Sequence, residues 1–382
     1  MSNSPIIKRV LKERQELSSK VFRRTLAMYQ PGKEATELKA GTHLNTWDWG
    51  PGIALYGLQQ TYRLLDPPTQ QEYLYFWRQW FDHYLDKSEP SITLNGALLL
   101  NVLWTAAHDS EFPLEHWERE GYRAYCRKRA DFYLKNAVRQ ASGVFGHTVA
   151  GFPDSSSQVW ADNLFMLVLF LAKGAVTLGK PKQFGEMVRQ LELHYQHLSD
   201  PTTNLLYHGW QFAPDGPEQD SGSYYGSHIH GALWGRGNGW AAMAVAELLE
   251  LCYDPDFSGF RARIVQAITP HFQALLKCQR ADGRWNTLLN QSDSYPETSA
   301  TAAIGYAFNK CARLGILGAE YAEAGKLALA AVRQQISPEG EVLGVSGSTP
   351  LLADLEAYNN IPIDLISTWG QGIGLLALSE YR

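Results

Sequence analysis

The stretch WGRGNGW, residues 234–240, places two tryptophans and an arginine in a glycine-rich turn at the start of an apolar segment. The same phrase, Trp-Gly-x-Gly followed by apolar residues, recurs as WGPGIAL at 49–55 and as WGQGIGL at 369–375. Related starts of apolar segments are LNG at 94–96, WAD at 160–162 and ETSA at 297–300. These six starts, mostly roughly 65 residues apart, predict six helical hairpins.

Helical periodicity dominates the sequence. Apolar residues recur at helical spacing in segments 58–65, 73–85, 97–106, 122–138, 164–178, 184–197, 241–253, 260–278 and 319–336. Strand-like alternation is rare, and no segment resembles an interdomain linker, although 212–227 predicts a long loop. One hairpin cannot bury its own apolar face. We therefore expect an all-α chain, with residues 1–382 as a single (α/α)6 barrel domain: a toroid with glycine-rich inner helices and a pocket where they begin.

Composition narrows the class of partner. The chain has 382 residues, net charge −5, and 34 basic residues spread along its length, a pattern unlike that of nucleic-acid-binding proteins. Residues 1–25 are basic without the apolar core of a signal peptide, and the apolar run 164–172 is about half the length of a membrane span. Four separated cysteines suggest reduced thiols. We expect a cytoplasmic protein that binds neither nucleic acid nor membrane; its oligomeric state is left open.

A candidate catalytic carboxylate lies in QVWADNLFM, residues 158–166. Asp162 stands where a polar loop meets an apolar helix, between Trp160 and Phe165. Aromatic neighbours that exclude water would raise the pKa of this carboxyl, and a general acid needs a protonated fraction near neutral pH. The alternative interpretation is an ordinary aspartate at a helix start, which caps the helix or interacts with its dipole.

A candidate anion-binding residue is Arg236, between Trp234 and Trp240. Its planar guanidinium is suited to holding a carboxylate at two points, and the two indoles offer flat apolar faces to a sugar ring. The alternative is a structural arginine that satisfies backbone carbonyls at a helix start. The phrase is not a dinucleotide-binding Gly-x-Gly-x-x-Gly motif, because no strand precedes it.

Several phrases together resemble a known family. The Asp162 and Arg236 phrases, YHGW at 207–210 and the ending 369–380 are similar, in order and spacing, to the unsaturated rhamnogalacturonyl hydrolases of glycoside hydrolase family 105. The unsaturated glucuronyl hydrolases of family 88 are similar but more distant. The resemblance covers the chain from about Thr46 to its end. It implies an (α/α)6 glycosidase that removes a 4,5-unsaturated uronic acid, unsaturated galacturonic acid linked to rhamnose, from small oligosaccharides left by a polysaccharide lyase acting on pectin.

The resemblance also implies roles for individual residues. Asp162 would be the general acid and base, while Arg236, Trp234 and Trp240 would hold the sugar and its carboxylate. Four further residues are expected in the pocket: Trp160, Met166, His147 and His208. One feature of the family is missing, because the segment before Asn95 and Gly96, PSITL at 90–94, lacks the expected acidic residue.

Asp48, in WDW at 47–49, is the candidate replacement for that carboxylate at the pocket mouth. The alternative is that Asp48 pairs with a local basic group. Hydration of an enol ether does not need the two flanking carboxylates of ordinary glycosidases, so the departure bears on the substrate more than on the reaction.

The sequence predicts no metal and no cofactor, because the histidine pairs 194/197 and 228/230 have no third ligand phrase nearby. Two other functions compete. A sugar epimerase or isomerase of the acylglucosamine 2-epimerase type would use a pair of well-placed histidines, and the Arg236 phrase argues against it. A non-catalytic oligosaccharide-binding protein would use Asp162 only as a cap, and the fold alone does not exclude it.

Overall fold

The computed structural model describes residues 5–86, 93–148, 153–213 and 226–380. The helices are α1 Pro5–Leu26, α2 Trp49–Thr61, α3 Pro67–Asp86, α4 Leu94–His108, α5 His116–Asn136, α6 Leu169–Thr177, α7 Pro181–Leu198, α8 Gly235–Leu251, α9 Arg261–Lys277, α10 Thr298–Arg313, α11 Ala319–Gln334, α12 Leu355–Asn359 and α13 Thr368–Ser379. A π-helical turn, Leu164–Val168, runs directly into α6. Within these ranges, no helix is both long and apolar enough to cross a bilayer.

Six helices of the described chain form a closed inner ring. Each of α2, α4, α6, α8, α10 and α13 contacts the next, and α13 contacts α2. Residues on all sides of α8 and α13 are buried, because these helices have neighbours on every side. The outer ring consists of α1, α3, α5, α7, α9 and α11, and α1 packs on α13 to complete the sixth hairpin. The predicted all-α class and (α/α)6 barrel are confirmed.

Glycines set the spacing where the ring closes. A Cβ atom on Gly57 of α2 would lie 2.3 Å from the carbonyl oxygen of Gly372 on α13, and one on Gly372 would lie 2.3 Å from the oxygen of Ile53. Only residues without a side chain permit this approach of two backbones. Gly372, which belongs to the repeated phrase, therefore serves the packing of α13 against α2.

The inner helices begin earlier than their apolar periodicity indicates. The segments predicted at 58–65 and 241–253 belong to helices that start at Trp49 and Gly235. Glycine has a low helix propensity and contributes no apolar side chain to the periodic pattern. The pattern therefore does not indicate these glycine-rich first turns. The Trp-Gly-x-Gly phrases are thus the first turns of inner helices rather than loops before them.

A small antiparallel sheet, not expected from the sequence, lies beside the helix starts. It consists of β1 Gln158–Trp160, β2 Gly209–Phe212 and β3 Gly226–His228 in that order. In its register Val159 faces Trp210, and Gln211 faces Ser227. Strands this short leave no visible alternation. Of the loop predicted at 212–227, residues 214–225 lie outside the described ranges, as do residues 87–92 before Asn95.

A buried ionic cluster joins the inner helices further from their starts. Glu247 of α8 accepts hydrogen bonds from Tyr56 Oη at 2.7 Å and Lys310 Nζ at 2.5 Å, and also from the hydroxyl of Tyr306. Lys173 Nζ donates to Tyr56 Oη at 2.8 Å. Buried charges are tolerated when paired in this way. The cluster ties α2, α6, α8 and α10 together away from the end where the inner helices begin.

Candidate active site

Asp162 lies between strand β1 and the π-helical turn, at the start of the third inner helix. Its carbonyl oxygen accepts the backbone N–H groups of Phe165 and Met166, each at 3.1 Å. The residue is partly accessible, yet its Oδ2 is buried and has no hydrogen-bond partner among the described residues. Burial raises the pKa of the carboxyl from 3.8 to about 7, against the lowering effect of the Arg236 charge. A carboxyl with this pKa exchanges a proton readily at neutral pH.

The turn that presents Asp162 is held by its neighbour Asn163. Its Oδ1 lies 2.6 Å from Nδ1 of His147, and its Nδ2 donates to the carbonyl oxygen of Phe145 at 3.1 Å. The His147 ring stacks on Trp160, with centroids 4.0 Å apart and planes 5° from parallel. Burial lowers the pKa of His147 to about 4, so this imidazole is neutral. His147 and Asn163 thus fix the orientation of Trp160 beside Asp162.

His208 lies between two indoles. Its ring centroid is 5.2 Å from that of Trp160 and 4.2 Å from that of Trp234. Its Nδ1 is 2.6 Å from Tyr358 Oη, whereas its Nε2 is buried and meets no hydrogen-bond partner within the described ranges. Burial, assisted by the nearby Arg236 charge, lowers the pKa of His208 well below 6.5. The site therefore contains a neutral imidazole with one unpaired ring nitrogen.

Arg236, in the first turn of α8, is 1% exposed and lies over the Trp234 ring, 4.7 Å from its centroid. Its two terminal nitrogens donate to protein oxygens: Ser299 Oγ, Ser346 O and Oγ, Gly347 O and Thr349 Oγ1. Its Nε is buried, and no residue that the structure describes forms a hydrogen bond with it. The two nitrogens that were expected to hold a substrate carboxylate thus form hydrogen bonds within the protein. This agrees with the alternative interpretation of Arg236 as a structural arginine.

Glu297, which caps α10, completes this arrangement. It is fully buried and lies 3.8 Å from Arg236 Nη1. It accepts hydrogen bonds from Ser299 Oγ at 2.8 Å and from the N–H of Ser346 at 2.8 Å. The pair fastens the segment after α11 to the start of α8, so the site depends on three separate parts of the chain.

The repeated phrases bring their tryptophans together. The Trp49 ring lies 4.9 Å from Trp369 and 6.3 Å from Trp240, centroid to centroid. Trp240 in turn lies 5.5 Å from Phe165, which contacts the Tyr56 ring at 5.4 Å. Trp49, Trp240 and Trp369, near the starts of α2, α8 and α13, thus form an aromatic group next to the π-helical turn that follows Asp162.

Asp48 lies at the start of α2, where it caps the helix. Its Oδ1 accepts the N–H of Trp49 at 2.8 Å, and the side chain of Asn95 also hydrogen-bonds to it. Burial raises the pKa of Asp48 above 3.8, and these hydrogen bonds oppose the rise. Among the described residues no cation lies in ion-pair contact with it. A carboxylate therefore stands beside Asn95, in the region where the sequence lacks its expected acidic residue.

Residues 19–382 match the sequence profile of Glycosyl Hydrolase Family 88. The chain belongs to this family. It is accordingly a glycosidase, similar over 340 residues, at 31% identity, to the unsaturated rhamnogalacturonyl hydrolase YesR of Bacillus subtilis (strain 168). That match covers 87% of this chain and 89% of YesR.

Two solved structures support the fold of this family 88 chain. One is a possible member of glycoside hydrolase family 105 from Salmonella enterica serovar Paratyphi A, with a TM-score of 0.81, 28% identity and coverage of 97% of this chain and 94% of the other. The other is the unsaturated glucuronyl hydrolase of Bacillus sp. GL1, with a TM-score of 0.65, 18% identity and coverage of 87% and 85%. The second likeness concerns the fold alone.

The structure places the sequence-predicted residues of this glycosidase unevenly. Trp160, His208, Trp234 and Arg236 form a continuous set of ring and cation contacts, and the Arg236 charge acts on the Asp162 carboxyl. Met166, by contrast, is 1% exposed within the π-helical turn. Sequence reasoning missed Trp369, Glu297 and Tyr358. The repeated phrase was a usable signal for Trp369. Tyr358 belongs to a segment without any pattern, so nothing in the sequence marked it.

Proposed function

We propose that this family 88 glycosidase removes a 4,5-unsaturated uronic acid from the non-reducing end of small oligosaccharides by hydrating the C4=C5 double bond. The preferred substrate in this proposal is unsaturated galacturonic acid linked to rhamnose, the product of a polysaccharide lyase. The observation that carries the proposal is the unpaired, buried Oδ2 of Asp162, on a carboxyl whose pKa is raised to about 7. The similarity to YesR supports the choice of substrate.

In the proposed reaction Asp162 acts twice. The protonated carboxyl donates its proton to C4, and the positive charge that develops at C5 is shared with the ring oxygen. Water then attacks C5, and the Asp162 carboxylate accepts a proton from that water, which restores the acid. The resulting hemiketal opens by breaking the bond between C5 and the ring oxygen, which gives a ketone at C5 and a hemiacetal at C1. The hemiacetal then breaks its bond to the rest of the oligosaccharide, which leaves as an alcohol while C1 becomes an aldehyde. One carboxyl is sufficient, because no displacement at the anomeric carbon is required.

Unpaired polar atoms around Asp162 suit an anionic sugar. In the part of the chain that the structure describes, His208 Nε2, Trp234 Nε1 and Arg236 Nε are buried and have no hydrogen-bond partner. Buried polar groups are rarely left unpaired in proteins, so a ligand is expected to complete them. We propose that Arg236 attracts the uronate through its charge and its Nε–H, while its terminal nitrogens hold the protein. Trp160, Trp234 and Trp240 would provide apolar faces for the sugar.

Asp48 is proposed as the second carboxylate of the site. It stands at the start of α2, bonded to Asn95 at the start of α4, and no basic partner among the described residues neutralises it. Because burial keeps its pKa raised, a sugar hydroxyl is a suitable partner for it. In this role Asp48 would orient the sugar rather than transfer a proton.

We also propose a cytoplasmic location and small diffusible substrates. The four cysteines are free thiols in the structure, three of them buried. Free thiols are typical of reducing compartments.

The proposal is tested by incubating the protein with a lyase-generated unsaturated rhamnogalacturonan disaccharide. Hydration removes the ultraviolet absorbance of the conjugated double bond and releases rhamnose. An altered sugar isomer with the absorbance retained would indicate an epimerase, and an unchanged ligand a binding protein. An unsaturated glucuronyl disaccharide in parallel measures preference between uronic acids; turnover of that compound alone would contradict the proposed substrate.

A further inference from the structure

His208 is a neutral imidazole with two differently paired nitrogens. It is 0% exposed, and its partner Tyr358 is also 0% exposed. The Nδ1 atom lies 2.6 Å from Tyr358 Oη, and Nε2 is buried with no hydrogen-bond partner in residues 5–86, 93–148, 153–213 and 226–380. A neutral imidazole carries one proton, and the hydrogen bond of one nitrogen decides which of the two holds it.

The surroundings of Tyr358 decide the direction of this hydrogen bond. The backbone N–H of Leu352 donates to Tyr358 Oη at 3.5 Å, so the hydroxyl oxygen already serves as an acceptor. The hydroxyl proton needs an acceptor of its own, and Nδ1 of His208 is the one at hydrogen-bond distance among the described residues. Burial raises the pKa of Tyr358, and this keeps the hydroxyl protonated. Tyr358 is therefore the donor and Nδ1 the acceptor.

We propose that Tyr358 is a positioning residue: by donating to Nδ1 of His208 it fixes the tautomer in which Nε2 carries the proton and donates a hydrogen bond to the substrate. The inference rests on the proposed function, since it assumes that a sugar occupies the site. The inference goes beyond the proposed function, because it assigns a role to a residue from the segment between α11 and α13.

The chosen tautomer suits the chemistry of Asp162. A cationic imidazolium close to that carboxyl would favour the carboxylate and work against proton donation. A neutral N–H can bind a sugar oxygen without this effect. Tyr358 is close enough to Asp162 for the carboxylate charge to raise the pKa of the phenol. The pair thus supplies a donor next to the acid while adding no charge.

One segment positions two groups of the site. The stretch 345–367, which belongs to the connection between α11 and α13 and includes α12, contributes Tyr358 to His208. It also contributes Ser346 and Thr349 to Arg236. Both the neutral donor and the cation are therefore oriented by the same part of the chain.

The chain offers a matched control pair elsewhere. Tyr195 Oη lies 2.9 Å from Nδ1 of His271, between α7 and α9 of the outer ring. Here the second nitrogen is occupied, since Nε2 of His271 lies 2.9 Å from Asn238 Oδ1. The same tyrosine-histidine contact thus exists without a free N–H. Tyr195→Phe removes a buried hydroxyl of the same kind from a place without a role in the reaction.

The experiment combines histidine nitrogen NMR with kinetics on the full chain. With ¹⁵N-labelled histidine at pH 7, wild-type His208 should show the neutral Nε2–H tautomer. Tyr358→Phe should shift His208 towards a mixture of tautomers and lower kcat/KM for the unsaturated disaccharide by about tenfold. Tyr195→Phe should change the His271 signals and leave kcat/KM within about twofold. In a His208→Gln background, Tyr358→Phe should have little further effect, because the two residues act as one unit.

Wild-type His208 found as an imidazolium or as the Nδ1–H tautomer would overturn the inference, even if Tyr358→Phe failed to fold. An unchanged His208 tautomer in Tyr358→Phe, or fully additive losses in the double variant, would also contradict it. If the disaccharide is not turned over at all, the proposed function fails, and the tautomer measurement still judges the Tyr358 assignment separately.

Discussion

At the scale of single residues, the site balances burial against charge. Burial raises the pKa of the Asp162 carboxyl to about 7, while the Arg236 guanidinium opposes this rise. A residue that must both give and accept a proton benefits from a pKa near the working pH. The Arg236 charge therefore sets the pKa of the proposed acid, in addition to the attraction of the substrate proposed for it.

Arg236→Lys keeps the charge but loses the hydrogen bonds to Ser346, Gly347 and Thr349. We expect a lower melting temperature and a tenfold to hundredfold lower kcat/KM, corresponding to about 1.5–3 kcal/mol for charge-assisted hydrogen bonds. Arg284→Lys is the matched control, because Arg284 forms a surface ion pair with Asp282 at 2.8 Å. Calorimetry and kinetics on both variants measure this, and near-normal values for both properties in Arg236→Lys would remove it from the site.

Asp48→Asn tests the second carboxylate. An amide can still cap α2 by accepting the Trp49 N–H, so stability should change by less than about 1 kcal/mol. If Asp48 orients the sugar, KM should rise several-fold with a smaller change in kcat. Thermal unfolding and steady-state kinetics separate the two effects. A clear drop in melting temperature with normal turnover by the folded fraction would show a purely structural residue.

Residues in repeated or family-like phrases could be predicted; residues held by distant contacts could not. Asp162, Arg236 and His208 stood in such phrases. Glu297 was visible only as a helix start, and its ion pair with Arg236 joins positions far apart in the chain. The occupied terminal nitrogens of Arg236 depend on the segment that holds Ser346, whose sequence carries no pattern.

At the scale of elements, the ring closes through contact between α2 and α13. Their backbones approach at Gly57 and Gly372, and the Trp49 and Trp369 rings lie 4.9 Å apart at the start of the same two helices. Close packing of the two helices therefore also sets the distance between two aromatic residues of the site. A shift of either helix would change the distance between the Trp49 and Trp369 rings at the site.

Gly57→Ala should destabilise the protein by about 3 kcal/mol, since the added methyl group meets a backbone oxygen in a close-packed core. Gly121→Ala on the outer helix α5 is the control, because nothing lies within 4 Å of its added Cβ. There we expect a gain of about 0.5–1 kcal/mol from reduced backbone freedom. Denaturant unfolding measures both. Equal small effects would show that the α2–α13 contact does not require glycine.

The sequence predicted the presence of the helices more accurately than their first and last residues. The outer helix predicted at 319–336 is observed as Ala319–Gln334, because its amphipathic pattern begins with the helix. The inner helices α2 and α8 start several residues before their predicted segments, as their first turns are glycine-rich. The three short strands left no signal at all.

At the scale of the whole molecule, the two ends of the chain meet in the ring, since α1 packs on α13. Arg14 Nη2 donates to the carbonyl oxygen of Ser379 at 2.8 Å, which joins the first helix to the last. We propose on this basis that residues 1–382 form a single folding unit. Cooperative unfolding would then report on the barrel as a whole.

Buried neutral histidines should make the barrel sensitive to acid. Burial lowers the pKa of His194 and His197 to about 4 and that of His271 to about 3. Below pH 6.5 these histidines bind protons in the unfolded chain but remain neutral in the folded protein. The free energy of unfolding therefore falls as the pH falls towards 4. At pH 5 each of these histidines lowers the free energy of unfolding by about 2 kcal/mol. Asp162, with its raised pKa, has the opposite effect, because its protonation on acidification stabilises the folded protein. It is a single group, however, and the histidines are several.

Calorimetric melting curves between pH 7.5 and 5 measure this effect. We expect a steep decrease of melting temperature over that range, with one transition. A melting temperature that stays constant down to pH 5 would contradict the neutral state of the buried histidines.

The central claim is that Asp162 is the proton donor and acceptor of the reaction, and Asp162→Asn tests it most directly. Asparagine matches the carboxyl in size but transfers no proton, so turnover measured by loss of double-bond absorbance should fall by at least about 10²–10⁴-fold. Stability at pH 8 should be unchanged or higher, because the variant no longer buries a charge, and calorimetry should still detect sugar binding. Wild-type turnover should decline as pH rises through about 7, where Asp162 loses its proton. Substantial turnover by a correctly folded Asp162→Asn protein would contradict the mechanism.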